Sequence, residues 1–263
     1  MPNKSLGQHW LHHSSVLDAI CESADVQPSD VVLEIGPGLG TLTNRLLLRG
    51  AHVTAVEFDA QLAANLTQNI VKHGSLDTDA LENLTVIESD ILKLDFRDLP
   101  TDYKVVANIP YYLTSNLIRV LCESTNPFSK AAILIQKEVA ERVCASPGQM
   151  SMLSVSAQYY CEVQLSIFVP KELFVPPPKV DSQVLELTFR DKPLFEDVDT
   201  KEFFRVVRAG FSQKRKTLVN SLSGGLAMEK NDVRIWLKRA DIAENTRAQA
   251  LSLRDWHMLY LKS

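Results

Sequence analysis

Cysteine is scarce in this 263-residue sequence: Cys21, Cys122, Cys144 and Cys161, none in a C-x-x-C pair and each in an apolar stretch. That excludes a disulfide scaffold, and all four read as reduced core residues in preference to a metal or redox role. The six histidines, His12-His13 among them, have no ligand spacing with Cys, Asp or Glu, so no metal is expected. No run of about 18 apolar residues occurs, which leaves no candidate for a membrane span. The first residues, MPNKSLGQHWLHHSS, have no apolar core behind a basic region, so the expectation is a protein that stays in the cytoplasm. There is no internal repeat and no low-complexity tract. Ten glycines exclude a collagen-like chain, and 45% hydrophobic with 23% charged residues excludes intrinsic disorder. A chain of this length buries a large core without staples. The net charge of −4, taken as an average, argues against a nucleic-acid partner.

What is present is an alternation of strand and helix signals. Ser15-Val16-Leu17-Asp18 has the form of a capping box lacking the ideal Glu, opening a helix through about Ala24. Strands are expected at 31–35, 52–57, 85–88, 104–107 and 131–135, and helices at 41–49, 61–72 and 137–145. Such alternation predicts βαβ units and a mostly parallel sheet. Residues 73–83 read as a polar surface loop. Two late strands, 162–169 and 184–189, flank the rigid segment Phe174-Val175-Pro176-Pro177-Pro178-Lys179. Past Arg190 only helical patterns remain, at 201–210, 218–222, 232–239 and 253–261. The predicted boundary falls near 190–196, giving domains 1–192 and 193–263.

Glu34-Ile35-Gly36-Pro37-Gly38-Leu39-Gly40 follows a strand and precedes a helix. Glycines there let a ligand approach the backbone, and a helix N-terminus favours negative groups. A dinucleotide fingerprint needs G-x-G-x-x-G, and counting from Gly38 the last position is Thr43. The E-x-G-x-G-x-G form is instead similar to that of S-adenosylmethionine-dependent methyltransferases. Glu57 ends the second strand, where a carboxylate can accept both ribose hydroxyls and would repel a 2′-phosphate. Asp90 ends the third, placed to take an adenine amino group. The competing reading of each acid is a solvated strand end, but all three tips share one sheet edge.

Asn108-Ile109-Pro110-Tyr111-Tyr112 follows the fourth strand. It is similar to the D/N-x-P-Y/F segment of methyltransferases that grip an exocyclic amine. The lone pair of adenine N6 is delocalised into the ring and attacks a methyl group poorly. The Asn108 side-chain oxygen and the Ile109 carbonyl can accept the two N6 hydrogens, Pro110 holds the backbone extended, and Tyr111 can stack on a flipped base. Positioning and electrostatics then suffice without a strong base. The competing reading is a turn capped by Asn with core tyrosines.

These segments together resemble the bacterial small-subunit (16S) ribosomal RNA adenine dimethyltransferases of the A type, over nearly the whole chain and in order. Matching stretches are Leu6 to Leu11, Glu34 to Thr43, Glu57-x-Asp59, Ser89-Asp90, Asn108 to Tyr112 with Thr114-Ser115, Gln136 to Arg142, and Phe174 to Ser182. The resemblance implies a Rossmann-like class I S-adenosylmethionine-dependent methyltransferase α/β sheet with a small all-helical C-terminal domain, and an N-terminal clamp over residues 1–14. It implies cofactor contacts at His9, Leu11, Gly36, Gly38, Glu57, Asp90 and Asn108. It implies catalytic contacts at Asn108, Ile109, Pro110, Tyr111 and Phe174, with a core role beside the prolines as the competing reading of Phe174. The sequence departs from the family pattern at His9, where Asn is commoner, and at Trp10, where Phe is. The implied reaction is dimethylation at N6 of two adjacent adenosines in a hairpin loop near the 3′ end of 16S rRNA. The implied partner is 16S rRNA in an assembling 30S particle, and the expected form a monomer. Two other readings stay open: a 23S rRNA adenine methyltransferase, and a non-catalytic nucleic-acid-binding relative.

The average charge conceals a segregation. Arg205 to Arg239 holds nine basic and two acidic residues, a net of +7, so the rest of the chain carries −11. The densest cluster, Lys214-Arg215-Lys216, is expected at a helix start, where cations oppose the helix dipole and a bound phosphate would offset them. With Arg208 it forms the expected contact to the rRNA backbone, against the plainer reading of a solvated helical face.

Overall fold

The computed structural model describes residues 9–73, 76 and 78–263; the Leu6-Gly7-Gln8 part of the expected N-terminal clamp lies outside them. The described chain forms two compact units. One comprises the residues up to Ala140 with Cys161–Phe189, the other Glu141–Tyr160 with Arg190–Ser263.

The first unit is built on β1 (Trp10–Leu11), α1 (Ser14–Ser23), β2 (Val31–Ile35), α2 (Thr41–Leu48), β3 (His52–Glu57), α3 (Ala60–His73), β4 (Leu84–Glu88), β5 (Lys104–Asn108), α4 (Thr114–Cys122), β6 (Lys130–Gln136) and the start of α5 (Lys137–Val143), whose last residues fall to the other unit. After α6 (Met152–Tyr160), which belongs to the other unit, it resumes with β7 (Cys161–Val169), β8 (Phe174–Val175) and β9 (Ser182–Phe189). Seven strands form one sheet in the order β4-β3-β2-β5-β6-β9-β7. The five strands from β4 to β6 are parallel, and β9 runs antiparallel between β6 and β7. Central strands such as VVLEI and KAAILIQ are almost uninterrupted apolar runs, as strands covered on both faces must be. One core joins Ile20, Leu46, Leu66 and Ile70 of the helices to Val32, Val53, Val106 and Leu134 of the sheet. Strand order reverses at β2, which has β3 on one side and β5 on the other. Such a switch point opens a crevice at the carboxyl ends of the two diverging strands, here Gly36 after β2 and Asn108 at the end of β5.

The second unit packs α6, α7 (Thr200–Phe211), α8 (Leu218–Leu226), α9 (Lys230–Arg239) and α10 (Leu253–Leu261) around an aromatic core. Tyr159 of α6 stacks on Phe203 and meets Phe204 edge-on, with centroids 5.2 and 5.1 Å apart. Trp236 Nε1 donates to the Leu259 carbonyl at 2.7 Å. Asp199 caps α7, and a Ser252–Asp255 capping box opens α10. A single cut at residue 192 therefore differs from the observed division. The aromatic pair Tyr159-Tyr160 draws 141–160 into the helical unit, ahead of the last two sheet strands in sequence. The expected capping box at Ser15 is absent; α1 starts at Ser14 behind His13, which makes no side-chain cap.

Candidate active site

The Gly-rich turn carries the first part of the site. Gly36, Gly38 and Gly40 all have positive φ. At Gly38 the constraint is double, because a Cβ would lie 2.5 Å from the Trp10 ring. Trp10 is held there by strand pairing: Trp10 and Leu11 pair antiparallel with Val175 and Phe174. Thr41 Oγ1 donates to the Leu11 carbonyl at 3.0 Å, and His9 Nδ1 lies 2.7 Å from the Pro176 carbonyl oxygen. A carbonyl only accepts, so His9 carries its proton on Nδ1. The N-terminal segment from His9 thus lies across the glycines, fastened at both its strand and its turn.

One cleft of about 310 Å³ is lined by His9, Leu11, Gly36, Gly38, Glu57, Asp90, Asn108, Ile109, Pro110, Tyr111 and Phe174. The structure brings together every residue the sequence singled out for cofactor and catalysis. Glu57 is buried at the tip of β3; its Oε2 accepts the Gly38 N–H at 3.0 Å and its Oε1 the Asp59 N–H at 2.9 Å. Asp90 accepts the Leu92 N–H through Oδ1 at 3.0 Å, and its Oδ2 carries no hydrogen bond among the described residues. The Asn108 side chain, half-buried at the end of β5, likewise makes no hydrogen bond among the described residues, while Ile109 behind it is buried. Tyr111 is held by its hydroxyl, 2.8 Å from Ser182 Oγ, and stacks with His9 at 6.2 Å. Burial pushes the Tyr111 phenol above its usual range, with the Ser182 bond opposing. Phe174 is 3% exposed, a core residue that also forms part of the cleft wall.

Two lining residues carry no motif signal of their own, and the burial of Glu34 is invisible in its motif. Phe58 and Ile91 also line the cleft, each directly after an acid that had been singled out, and that adjacency was the available signal. Glu34 does not line it. Fully buried beneath the turn, neither of its oxygens is hydrogen-bonded. Burial pushes its carboxyl up to about 8; Thr43, near but outside hydrogen-bond geometry, opposes this, and the Glu57 charge adds to it.

The cysteines stand apart from the cleft. Burial raises Cys21 to about 12 and Cys144 to about 11. Cys122 is raised well above its ordinary value, first by Cys161, whose Sγ is 3.9 Å away, and then by burial. Thiols this reluctant to ionise are poor nucleophiles and ligands. Among the described residues no cluster of three or more His, Cys, Asp or Glu could hold a metal, and no helix is long and apolar enough to cross a membrane.

In the helical unit, Lys214, Arg215 and Lys216 are exposed in the turn between α7 and α8, just ahead of the Thr217 N-cap, and Arg208 is exposed on the last turn of α7. None of these four makes an ion pair among the described residues. Arg205 and Arg234 of the same basic window do, with Glu202 at 2.8 Å and Glu244 at 3.1 Å.

An apolar slot between two carboxylate-bearing strand tips, floored by a glycine turn with close backbone, fits a nucleoside-bearing group that is not phosphorylated on its ribose. With the doubly wound sheet, it defines a class I S-adenosylmethionine-dependent methyltransferase. The family model for ribosomal RNA adenine dimethylase matches residues 2–262, and the chain belongs to that family. It is 39% identical to the ribosomal RNA small subunit methyltransferase A of Dehalococcoides mccartyi, over 98% of this chain and 87% of that one. To the protein of the same name from Clostridioides difficile it is 37% identical, over 98% and 89%. Two solved structures share the whole fold. They are a dimethyladenosine transferase from Plasmodium falciparum, 28% identical with a TM-score of 0.76 over 96% of each chain, and the 23S rRNA methyltransferase ErmE, 27% identical with 0.74 over 96% and 98%.

Proposed function

We propose that this enzyme transfers methyl groups from S-adenosylmethionine to N6 of two adjacent adenosines in the 3′-terminal hairpin loop of 16S rRNA, acting on an assembling 30S particle and contributing to small-subunit biogenesis. The observation that carries this reading is the Asn108 amide: unpaired, at a strand tip, and in the same cleft as Glu57 and Asp90.

Glu57 would hold the ribose hydroxyls, its two backbone bonds leaving further lone pairs free. Asp90 would take the adenine amino group on Oδ2. His9, Leu11 and the Gly36–Gly38 turn would hold the remainder. Bound there, the cofactor supplies an activated methyl group on a sulfonium. The chain's own part is to present a nitrogen to it. The Asn108 oxygen and the Ile109 carbonyl accept the two N6 hydrogens, which draws N6 out of conjugation with the ring. Pro110 holds the backbone extended directly after them, and Tyr111, immobilised by Ser182, offers a face for the base. Phe174 closes the wall behind it. Methyl transfer leaves N6 cationic and strongly acidic, so its proton passes to water without a dedicated base. Lys214, Arg215, Lys216 and Arg208, without ion pairs among the described residues, supply contacts to the rRNA backbone.

Incubating the protein with labelled S-adenosylmethionine and unmodified 30S or 50S particles, then mapping the label, tests this. Paired dimethyladenosines near the 3′ end of 16S rRNA are expected. Label confined to 50S particles, or no label in either, would overturn it.

A further inference from the structure

Phe58, Tyr112 and Phe168 are 63%, 69% and 49% exposed, and they are the exposed aromatic side chains of Phe, Tyr and Trp type among the described residues. Their positions are not scattered. Phe58 follows β3, Tyr112 follows β5 in a short turn, and Phe168 is the penultimate residue of β7. All three strands point the same way, so all three rings stand at the carboxyl edge of one sheet. Phe58 and Tyr112 line the cleft; Phe168 does not. From Asn108 on β5 to Phe168 on β7 the path crosses β6 and β9, three strand spacings of about 4.8 Å, or roughly 14 Å. Nucleotides stacked about 3.4 Å apart cover that span in a few residues.

Phe168 is not bare. Lys137 holds its ammonium 5.3 Å from the ring centroid. Lys137 belongs to the Gln136–Arg142 segment, which the cleft does not use. Its backbone N–H donates to the Asp181 carbonyl at 3.0 Å, next to Ser182, and Ser182 in turn pairs with Gln136 and Val169 and holds Tyr111. Lys137, Phe168 and the cleft's Tyr111 are therefore tied to one short stretch of β9. A half-exposed ring with a neighbouring cation is a pairing that suits single-stranded nucleic acid: the ring stacks a base and the cation meets the backbone.

We infer that Phe168 and Lys137 form a second nucleotide site, which stacks an unpaired base flanking the methylated pair and leads the strand along the sheet edge into the cleft. This rests on the rRNA reading above. A purely structural contact, with the lysine stem covering an apolar ring, makes a different forecast, because leucine would then replace phenylalanine.

The test uses the full-length enzyme and unmodified 30S particles. Phe168→Ala should raise KM for the particle roughly 5- to 150-fold, the range for loss of one base–aromatic stack, with S-adenosylmethionine affinity and thermal stability unchanged. Phe168→Trp should restore it and Phe168→Leu should not; restoration by leucine, or a wild-type KM for the alanine variant, overturns the site. A photo-crosslinking amino acid at 168 should label 16S rRNA within a few nucleotides of the modified pair, and a crosslink to a ribosomal protein instead overturns the proposal. Wild-type labelling of the particle is read first. Its absence would sink the rRNA reading itself, whereas normal labelling with an indifferent Phe168 sinks only the second site.

Discussion

The sheet unit and the helical unit handle polarity in opposite ways. In the first, Glu57, Asp90 and Asn108 are half or fully buried at three strand tips of one crevice, and backbone amides fix the two acids. In the second, the interior is aromatic and aliphatic, and the charge sits outside, with Lys214, Arg215 and Lys216 in an open turn. Chemistry on a weak nucleophile needs dipoles held still where water is scarce. Gripping a phosphate backbone needs positive charge in solvent and tolerates error in its placement. The two units should therefore respond to mutation in separable ways, one through turnover and the other through substrate affinity.

The largest effect belongs to Asn108. In the proposed mechanism Asn108→Ala removes an acceptor for the N6 hydrogens, and losing one such group costs a factor of about 10² to 10³ in kcat. Particle affinity should change little, since the basic turn is untouched. Single-turnover kinetics on 30S particles beside a binding assay would show the split. A near-normal rate would remove Asn108 from the mechanism.

Glu34 tests whether the cleft's electrostatics extend into the core beneath it. The folded carboxyl is raised to about 8, mainly by burial, while in the unfolded chain it titrates near the ordinary value of about 4.3. Between those limits the folded state keeps a proton that the unfolded state has lost. Stability must then fall as pH rises from about 4.5 to about 8 and level off above, by up to ~1.4 kcal/mol per pH unit. Glu34→Gln should flatten that part of the Tm–pH curve and make the variant the more stable protein at pH 8. Parallel curves for the two proteins would show that Glu34 is ionised in the folded state.

The division between what the sequence disclosed and what it hid follows the same contrast. The crevice was legible because each of these residues closes or directly follows a strong strand signal: Gly36 just after VVLEI, Glu57 as the last residue of HVTAVE, Asn108 as the last of KVVAN. Parallel topology then carries strand tips to one edge without further information. Pairing of Trp10-Leu11 with Phe174-Val175 was not legible, because two-residue strands have no periodicity and their register is set across about 160 residues of chain. The helix α6 was hidden for a related reason. Its sequence, MLSVSAQYY, has no one-sided apolar stripe, with Ser154 and Ser156 among its buried residues, and its membership in the helical unit depends on where Tyr159 finds Phe203 and Phe204. Glu34 was read as part of a motif; its burial and raised carboxyl emerge once α2 covers it.

In the helical unit the corresponding probe is charge. Lys214→Glu with Arg215→Glu should weaken binding to 30S particles about tenfold or more at moderate salt and reduce the slope of log affinity against log salt. S-adenosylmethionine affinity, measured by calorimetry, should stay at the wild-type value. Unchanged particle affinity would assign RNA recognition to other residues and dissolve the contrast between the units.

The smallest effect comes from the helical core itself. Gly210 sits within α7, where a Cβ would lie 2.3 Å from the Trp256 ring and 3.4 Å from Leu218. Trp256 is fully buried, so its ring has nowhere to retreat. Two terms oppose each other in Gly210→Ala. Alanine gains up to about 1 kcal/mol of helix propensity over glycine, while forcing a methyl into a filled core costs typically 1–3 kcal/mol. The second should win by about 1 kcal/mol, a loss visible as a lower denaturation midpoint. Since Gly210 packs against Trp256, which belongs to a core with no member in the sheet unit, S-adenosylmethionine binding should survive in a variant whose particle affinity has dropped. Loss of both together would mean that the two cores unfold as one, and that separate functions do not imply separate stabilities.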